Sequence, residues 1–445
     1  MSSTPETAMP ESALASSAAP TRKVLAWAMW DWGTQPFASV ITTFVFSVYL
    51  VSSAFGDKDT LTQQLAWATA AGGVFIALLA PVLGQGSDRR GRRMFHLRRQ
   101  TWLLAVVSAA MYFVAPEPGY FWLGAVLLVG GNVVAEIANV NYYAAIDQVS
   151  TSRNVGRVSG LGWGLGYLGG ITILLLIIVV LGSDFSAEDV RFAMLMCGAW
   201  TVLFTIPIFL ALKDRKPSAP VESLGVIGSY RRLFESIAGL WRTSRNTLYF
   251  LLASALFRDG LAGVFTFGGV LAAGTFGFEF SEVVIFGVAA NVVAGLSTMA
   301  FGLLDDKLGP KTVILISLAS LVLLGTGVFV FHDSGKSAFW VLGLAMCLFV
   351  GPAQSASRSF LARMIPAGMS GEIFGLYATT GRAVSFLSPL LFGLGIGLGA
   401  LVLGGSEAQT QHWGILGVVL VLLAGLVVIT FVKEPPRHVE TAVTS

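Results

Sequence analysis

The sequence predicts an all-α membrane protein of about twelve transmembrane helices, arranged as two six-helix halves with both termini in the cytoplasm. Of its residues, 55% are hydrophobic and only 12% are charged, whereas soluble domains carry about 25% charged residues. Apolar stretches recur along the whole chain, and each bilayer crossing needs roughly 20 apolar residues. The basic residues lie mainly in alternate connecting segments, which is typical of a multi-pass membrane protein.

The apolar stretches fall into two sets of six. The first set covers residues 24–53, 61–84, 101–115, 119–145, 158–181 and 192–212. The second set covers residues 248–275, 282–301, 312–331, 338–355, 374–403 and 413–432. Each set is expected to form one half of the molecule.

Polar segments set the domain boundaries. We expect a disordered tail at residues 1–22, an N-terminal half at 23–212, a linker at 213–246, a C-terminal half at 247–432 and a tail at 433–445. The first residues lack the basic and apolar regions of a signal peptide. In the linker, Leu233, Ile237 and Leu240 recur at helical spacing among arginines, which predicts an amphipathic helix on an anionic membrane surface.

The orientation follows from the distribution of basic residues. Most of the 28 Lys and Arg residues lie in segments on the same side as the termini. In the loops on the other side we find only Lys58, Arg191 and Lys336. Because basic residues concentrate in cytoplasmic loops, the termini are expected to be cytoplasmic.

An internal repeat relates the two predicted halves. The second and eighth apolar stretches both end in the pattern Gly-x-x-x-Asp-basic-x-Gly-x-basic. Its candidate gating residues are Gly84, Asp88, Arg89, Gly91 and Arg92 in the first copy and Gly302, Asp306, Lys307 and Gly309 in the second. A looser pair, residues 156–161 and 371–376, has nearly the same offset. Two such pairs predict a parallel repeat of the kind found in one class of secondary transporters.

The residue types in these loops indicate a conformational contact. Glycine permits sharp turns and close backbone approach, and an Asp can accept hydrogen bonds from a helix N-terminus or pair with an Arg. Such a contact can hold one conformation closed. The alternative interpretation is a basic loop that only orients the protein.

The two loops resemble the signature loops of the major facilitator superfamily. Other segments resemble the vacuolar amino-acid effluxer family, the autophagy-related permeases: residues 27–32 (WAMWDW), 157–170 (RVSGLGWGLGYLGG), 354–359 (QSASRS), 374–377 (FGLY) and 385–393 (SFLSPLLFG). This resemblance implies a twelve-helix transporter whose central cavity is lined mainly by helices 1, 4, 7 and 10. It also implies a link to amino-acid export, which is the role associated with the fungal members.

Charged residues inside the apolar stretches mark the expected pathway. A charge in a membrane helix costs at least ~2.5–3.5 kcal/mol, so it usually faces a cavity or another charge. The candidate substrate and proton pathway residues are Asp31, Gln35, Asn132, Glu136, Asn139, Tyr143, Arg258, Asp259, Gln354 and Arg382. In the fourth stretch these residues recur at helical spacing on one face. In the first stretch, Pro36 is expected to kink the helix beside Asp31.

Two roles remain open for the membrane carboxylates. Protonation of Glu136 or Asp31 could be coupled to transport, or these acids could pair with Arg258 or Arg382. Asp259 could instead cap a bend at Gly260. A cavity with charges of both signs suits a zwitterion or an anion, since Arg binds carboxylates in bidentate fashion. Amino acids and small carboxylates are therefore the expected solutes.

No enzymatic activity is expected. Ser334-Gly-Lys-Ser337 lacks the preceding Gly of a P-loop, because Val330 occupies that position. No metal-ligand cluster or nucleophile–base pair stands out, so no metal and no cofactor is predicted. The sequence thus predicts a monomeric secondary transporter that works by alternating access in the bacterial plasma (inner) membrane, with a solute, lipids and protons as partners and no nucleic acid. The alternative is a sensor or scaffold that uses the transporter fold without transporting.

Overall fold

A computed structural model describes residues 14–15, 17–182, 185–214, 226–366, 368–404 and 410–434. The N-terminal half is helical almost throughout, and its helices are α1 (Thr21–Pro36), α2 (Phe46–Leu50), α3 (Lys58–Arg90), α4 (Arg93–Ala110), α5 (Phe121–Ala144), α6 (Val155–Leu181) and α7 (Ala187–Ala211). The linker and the C-terminal half contain α8 (Val226–Thr243), α9 (Arg245–Gly274), α10 (Phe280–Leu308), α11 (Pro310–Val330), α12 (Lys336–Met364), α13 (Ser370–Val384), α14 (Leu387–Leu403) and α15 (Gly414–Phe431).

The all-helical membrane architecture expected from composition is confirmed. Within the described ranges, 10 helical stretches are long and apolar enough to cross a membrane. The two remaining predicted spans are also helical but fall short of that measure. The first is broken into α1, a π-helix at Phe37–Phe44 and α2, and the third is the short α4, which begins with basic residues.

The break in the first span follows from its proline. Pro36 has no backbone N–H, so the carbonyl of Trp32 loses its helical partner one turn earlier. The Trp200 indole of α7 donates to that carbonyl at 3.2 Å. The chain then continues as the π-helix, a form that is frequent at functional sites. The predicted kink is therefore a π-helical segment.

A second proline is compensated across the two halves. Pro81 of α3 leaves the Ala77 carbonyl without its helical partner, and the Thr379 hydroxyl of α13 donates to it at 2.8 Å. Neighbouring helices often re-satisfy such backbone groups in membranes. Because α3 and α13 belong to different halves, this bond also joins the halves.

Glycines allow the halves to approach closely at two symmetric places. Gly84 of α3 lies against the backbone of Gly371 in α13, and Gly302 of α10 lies against Gly156 and Gly160 in α6. A Cβ at Gly302 would lie 2.9 Å from the Gly156 carbonyl oxygen. The members of the two sequence repeats thus contact each other crosswise between the halves.

The linker helix α8 lies within the predicted linker. Leu233 and Leu240 are buried against the body of the protein, whereas Phe234 and Trp241 are exposed. Tyr230 donates to the Leu78 carbonyl of α3 at 2.9 Å. Residues 1–13 and 435–445, which make up most of the predicted tails, lie outside the described residues.

Candidate functional site: a cavity between the two halves

A cavity of about 510 Å³ lies between the halves. Its walls come mainly from α1 and the π-helix, α5, α9, α13 and α14. All of the pathway residues expected from the sequence line it: Asp31, Gln35, Asn132, Glu136, Asn139, Tyr143, Arg258, Asp259, Gln354 and Arg382. The fold therefore brings together residues that are far apart in sequence, while their role in transport stays a prediction.

An ion pair crosses the cavity. Glu136 of α5 accepts a hydrogen bond from Arg382 of α13 at 2.6 Å, and each side chain is 28% exposed. Of the pairings considered from sequence, this is one that the structure contains. Because α5 and α13 belong to different halves, the pair links the halves through a site that water can reach.

The partner of Asp31 differs from the expectation. Asp31 accepts the Tyr142 hydroxyl at 2.8 Å and lies 3.5 Å from Arg358 of α12, whereas the sequence suggested Arg258 or Arg382. The apolar stretch was expected to end at residue 355 with Arg358 in a cytoplasmic segment. That placement is wrong, because α12 continues to Met364 and the Arg358 side chain is 1% exposed.

Arg358 sits in an aromatic cage at the base of the cavity. Its guanidinium lies 4.9–5.7 Å from the centroids of four rings, which belong to Trp27, Tyr142, Tyr143 and Trp163. Cation–π attraction of this kind strengthens when water is excluded. A Cβ at Gly162 would lie within 3.0 Å of Trp27, Tyr142 and Arg358, so a larger residue there would have to displace these side chains.

The same guanidinium bridges the halves. From α12 it donates to the Ser159 hydroxyl at 2.9 Å and to the Ser159 carbonyl at 2.7 Å, both on α6. A buried cation is tolerated only when it is paired and hydrogen-bonded. All of these partners, including Asp31, lie in the N-terminal half, so the burial of Arg358 depends on contact between the halves.

Arg258 is the third arginine of the region, and its surroundings are different. It donates to the Tyr377 carbonyl at 2.9 Å, and its guanidinium lies 3.7 Å from the centre of the Tyr377 ring. Among the residues that the structure describes, no carboxylate lies within ion-pair distance of it. Its side chain lines the cavity and is partly exposed.

Asp259 acts on another helix rather than on its own. Its carboxylate accepts the Ser388 backbone N–H at 2.7 Å, in the first turn of α14. The cap at Gly260 suggested from sequence is therefore wrong, since α9 runs unbroken to Gly274. A carboxylate at a helix N-terminus is stabilised by the free N–H groups and the helix dipole.

The first signature loop joins the two halves at one end of the molecule. Asp88 accepts the backbone N–H groups of Gly371 at 2.6 Å and Glu372 at 3.0 Å, at the start of α13, and pairs with Arg93 at 2.7 Å. Both kinds of contact predicted for this aspartate are present. Arg93 also binds Asp147 at 2.9 Å, a link that the motif did not reveal.

The second loop repeats the arrangement at the start of α6. Asp306 accepts the Gly156 N–H at 2.8 Å and the Arg157 N–H at 3.2 Å. Arg363, which sequence reasoning missed, binds Asp306 at 3.3 Å and Asp305 at 2.7 Å. Each loop aspartate thus caps a helix of the opposite half. We call this end of the molecule the loop end.

The other predicted gating residues are two glycines at turns and three basic side chains. Gly91 and Gly309 have φ values of 60° and 94°, a region that favours glycine, so they let the chain turn after α3 and α10. Arg92 and Lys307 are exposed, and Arg89 is half-buried.

At the end of the cavity opposite the loops, the lining residues Thr42, Thr43 and Ser385 are exposed. The loop contacts thus join the halves at one end, and these exposed lining residues lie at the other.

The described residues offer no group of three or more His, Cys, Asp or Glu side chains that could hold a metal ion. The cavity lining offers arginine, amide and hydroxyl groups for binding, together with carboxylates. The stacked pair His332–His412, with ring centroids 3.8 Å apart, lies outside the cavity lining.

The family model described as "Vacuole effluxer Atg22 like" matches residues 144–396, which is more than half of the chain. The uncharacterized MFS-type transporter YxiO of Bacillus subtilis is 27% identical over 431 residues, covering 93% of this chain and 95% of the relative. Autophagy-related protein 22 of Kluyveromyces lactis is 24% identical over 315 residues, covering 66% of this chain and 64% of that protein.

Solved structures share the fold at low sequence identity. The proton:xylose symporter XylE of the major facilitator superfamily has a TM-score of 0.71 at 12% identity, covering 93% of this chain and 96% of XylE. A bacterial homologue of the iron transporter ferroportin, in an outward-facing state, has a TM-score of 0.67 at 16% identity, covering 92% of this chain and 98% of that chain.

Proposed function

Because the chain belongs to the vacuole effluxer Atg22 like family and has the major facilitator fold, we propose that it carries an amino acid or small carboxylate by alternating access, with coupling to protons. It is a multi-pass membrane transporter. The solute class, the coupling, the orientation and the residue roles are our proposals. Its relatives' names connect them with vacuolar efflux and with this transporter class, which is compatible with such a solute.

The observation that carries the proposal is the mixed charge of the cavity. Glu136, Arg382, Arg258 and Asp31 surround a space of about 510 Å³, which is within the range of small-molecule sites. Charges in a membrane are costly and usually mark a solute or ion pathway. Polar groups of Asn132, Asn139 and Gln354 line the same space, so a polar solute finds hydrogen-bond partners there.

The loop contacts suggest how access is controlled. Asp88 and Asp306 hold the N-termini of α13 and α6 across the halves, and we propose that these contacts close the loop end. Breaking them would expose the cavity to the opposite compartment. With cytoplasmic termini in a bacterial plasma membrane, the loop end is cytoplasmic and the observed conformation faces outward. We propose that the monomer is the transporting unit.

Proton coupling is assigned to Glu136 and Asp31. Each carboxylate lines the cavity and has an arginine of the other half as partner. Protonation of either carboxylate would remove its negative charge and break its ion pair with the arginine. Proton binding would therefore weaken a contact between the halves. The proton would then be carried with the solute.

The test is flux into proteoliposomes without ATP, measured above the flux into liposomes that lack the protein. With one proton coupled per solute, each pH unit supplies about 1.4 kcal/mol, or about tenfold accumulation. We expect Glu136→Gln or Asp31→Asn to abolish this pH-driven accumulation while exchange at equal pH persists. Asp59→Asn, an exposed carboxylate outside the cavity, is the matched control. If both cavity variants accumulate solute as the unmodified protein does, the proton site lies elsewhere.

The alternative function is that of a non-transporting sensor or scaffold. It predicts that amino acids, carboxylates and sugars neither move across the proteoliposome membrane nor stabilise the purified protein against heat. A solute that binds without moving would favour the sensor over the transporter.

A further inference from the structure

The three arginines at the cavity differ in whether their charge is already matched. Arg382 is paired with Glu136 at 2.6 Å, and Arg358 is buried beside Asp31 and Ser159. Arg258 has no carboxylate within ion-pair distance in the described part of the chain. A partly exposed guanidinium in a membrane cavity therefore remains without an anionic partner.

Contacts with α13 hold the Arg258 side chain in a defined position. The guanidinium carbon lies over Tyr377 at 3.7 Å from the ring centre, and the group donates one N–H to the Tyr377 carbonyl. A Cβ at Gly381 would lie 3.1 Å from both terminal nitrogens, so the backbone of α13 supports the group closely. Arginine carries five N–H donors, and this arrangement leaves donors for a ligand.

The carboxylates of the cavity, by contrast, are all engaged. Asp31 accepts from Tyr142 and lies beside Arg358. Glu136 is held by Arg382. Asp259 caps the first turn of α14 through the Ser388 N–H at 2.7 Å, where the helix dipole compensates its charge. The charge of each of these carboxylates is already offset by an arginine or by a helix N-terminus, whereas the positive charge of Arg258 is not offset by a carboxylate.

We infer that Arg258 is the anchor for the carboxylate of the solute, and that the solute is a small organic monoanion without an ammonium group. This inference rests on the proposed function, in which a solute occupies this cavity. It narrows the proposed class from amino acids or carboxylates to carboxylates. Bidentate pairing with the free edge of Arg258 would supply the missing counter-charge.

Binding to the purified full-length protein in detergent tests the inference, since small carboxylic acids cross lipid bilayers unaided. The probes are three matched sets: propanoate, propanamide and alanine; 4-methylpentanoate, its primary amide and leucine; and 3-phenylpropanoate, its primary amide and phenylalanine. We expect at least one carboxylate to bind, and its amide and amino acid to bind more weakly by about tenfold or more.

Arg258→Gln should weaken carboxylate binding by about tenfold to a hundredfold, and Arg258→Lys should recover part of it through charge alone. Arg191→Gln is the matched control. Arg191 also donates to a tyrosine carbonyl, that of Tyr112, at 2.6 Å and lies 4.8 Å from that ring, but it is not a residue of the cavity lining. The Arg191→Gln variant should bind the carboxylate with the same affinity as the unmodified protein.

Several outcomes would overturn the inference. An amino acid that binds as tightly as its matched carboxylate would show a zwitterion site, and unchanged affinity in Arg258→Gln would place the anchor elsewhere. If no carboxylate binds but another solute is transported in proteoliposomes, the inference fails while the proposed function stands. If nothing binds and nothing is transported, the proposed function fails as well.

Discussion

Gly84→Val should prevent closure of the loop end and reduce solute flux by more than about tenfold, because the valine side chain cannot fit between α3 and α13. A Cβ at Gly84 would lie inside contact distance of the Gly371 carbonyl oxygen. That neighbour is backbone, which cannot rotate away. Separating the helices would also lengthen the bonds from Asp88 to the Gly371 and Glu372 N–H groups, which are 2.6 and 3.0 Å long.

Gly86→Val is the matched control for this prediction. Gly86 lies two residues further along the same helix, and a Cβ there meets nothing within 4 Å. It introduces the same side chain with the same loss of backbone flexibility, so its flux should stay near that of the unmodified protein. Equal flux in both variants would contradict a closing role for the α3–α13 contact.

A reporter cysteine gives an independent measure of closure. Thr298 of α10 is fully buried where Gly160 of α6 packs on its backbone, and the natural Cys197 and Cys347 are buried. In a Thr298→Cys background, a thiol reagent should label Gly84→Val faster than Gly86→Val. This readout separates an open loop end from a protein that has lost its solute site.

The sequence was sufficient to predict features that depend on local pattern. The helical face of Asn132, Glu136 and Asn139 needs only the helical period, and the role of Asp88 as a cap follows from its place beside glycine at a helix end. These features are encoded within one helix or one loop.

Features that depend on pairing across the chain could not be obtained in this way. Arg358 lies more than three hundred residues from Asp31 in sequence. Because it follows the end of an apolar stretch, the sequence alone indicates a loop residue. Only the fold shows that α12 continues and that aromatic rings replace water around the guanidinium. The Arg363–Asp305 contact is similar, since many arginines precede a membrane end and no periodicity marks which of them turns inward.

The Arg358 cage and the two loop contacts all join the halves on the same side of the cavity. The loop aspartates hold helix N-termini, and Arg358 holds Ser159 and Asp31 just below the cavity floor. A change at Asp31, which touches both the cavity and Arg358, therefore reaches the contact between the halves without passing through the loops. Among the described residues that line the cavity, Asp31 is the only carboxylate that contacts Arg358.

Arg358→Gln should have the largest effect of any single substitution at the base of the cavity. Removing one partner of a buried ion pair costs about 3–5 kcal/mol, and glutamine can replace neither the charge beside Asp31 nor the stacking against four rings. Since the partners lie in the opposite half, most of this loss should appear as opening of the loop end. We expect labelling of the Thr298→Cys reporter to rise by more than about tenfold and pH-driven flux to be lost.

A cycle with Asp31→Asn separates this role from a general loss of stability. Asn keeps the shape of Asp31 but removes its charge, so the single variant should open the loop end less than Arg358→Gln does. The double variant should not add the two effects, because both remove the same contact. Arg191→Gln, a tyrosine-stacked arginine that lies away from the junction of the halves, should leave labelling unchanged. Additive effects, or a lower melting temperature with unchanged labelling, would mean that Arg358 supports the fold without holding the halves together.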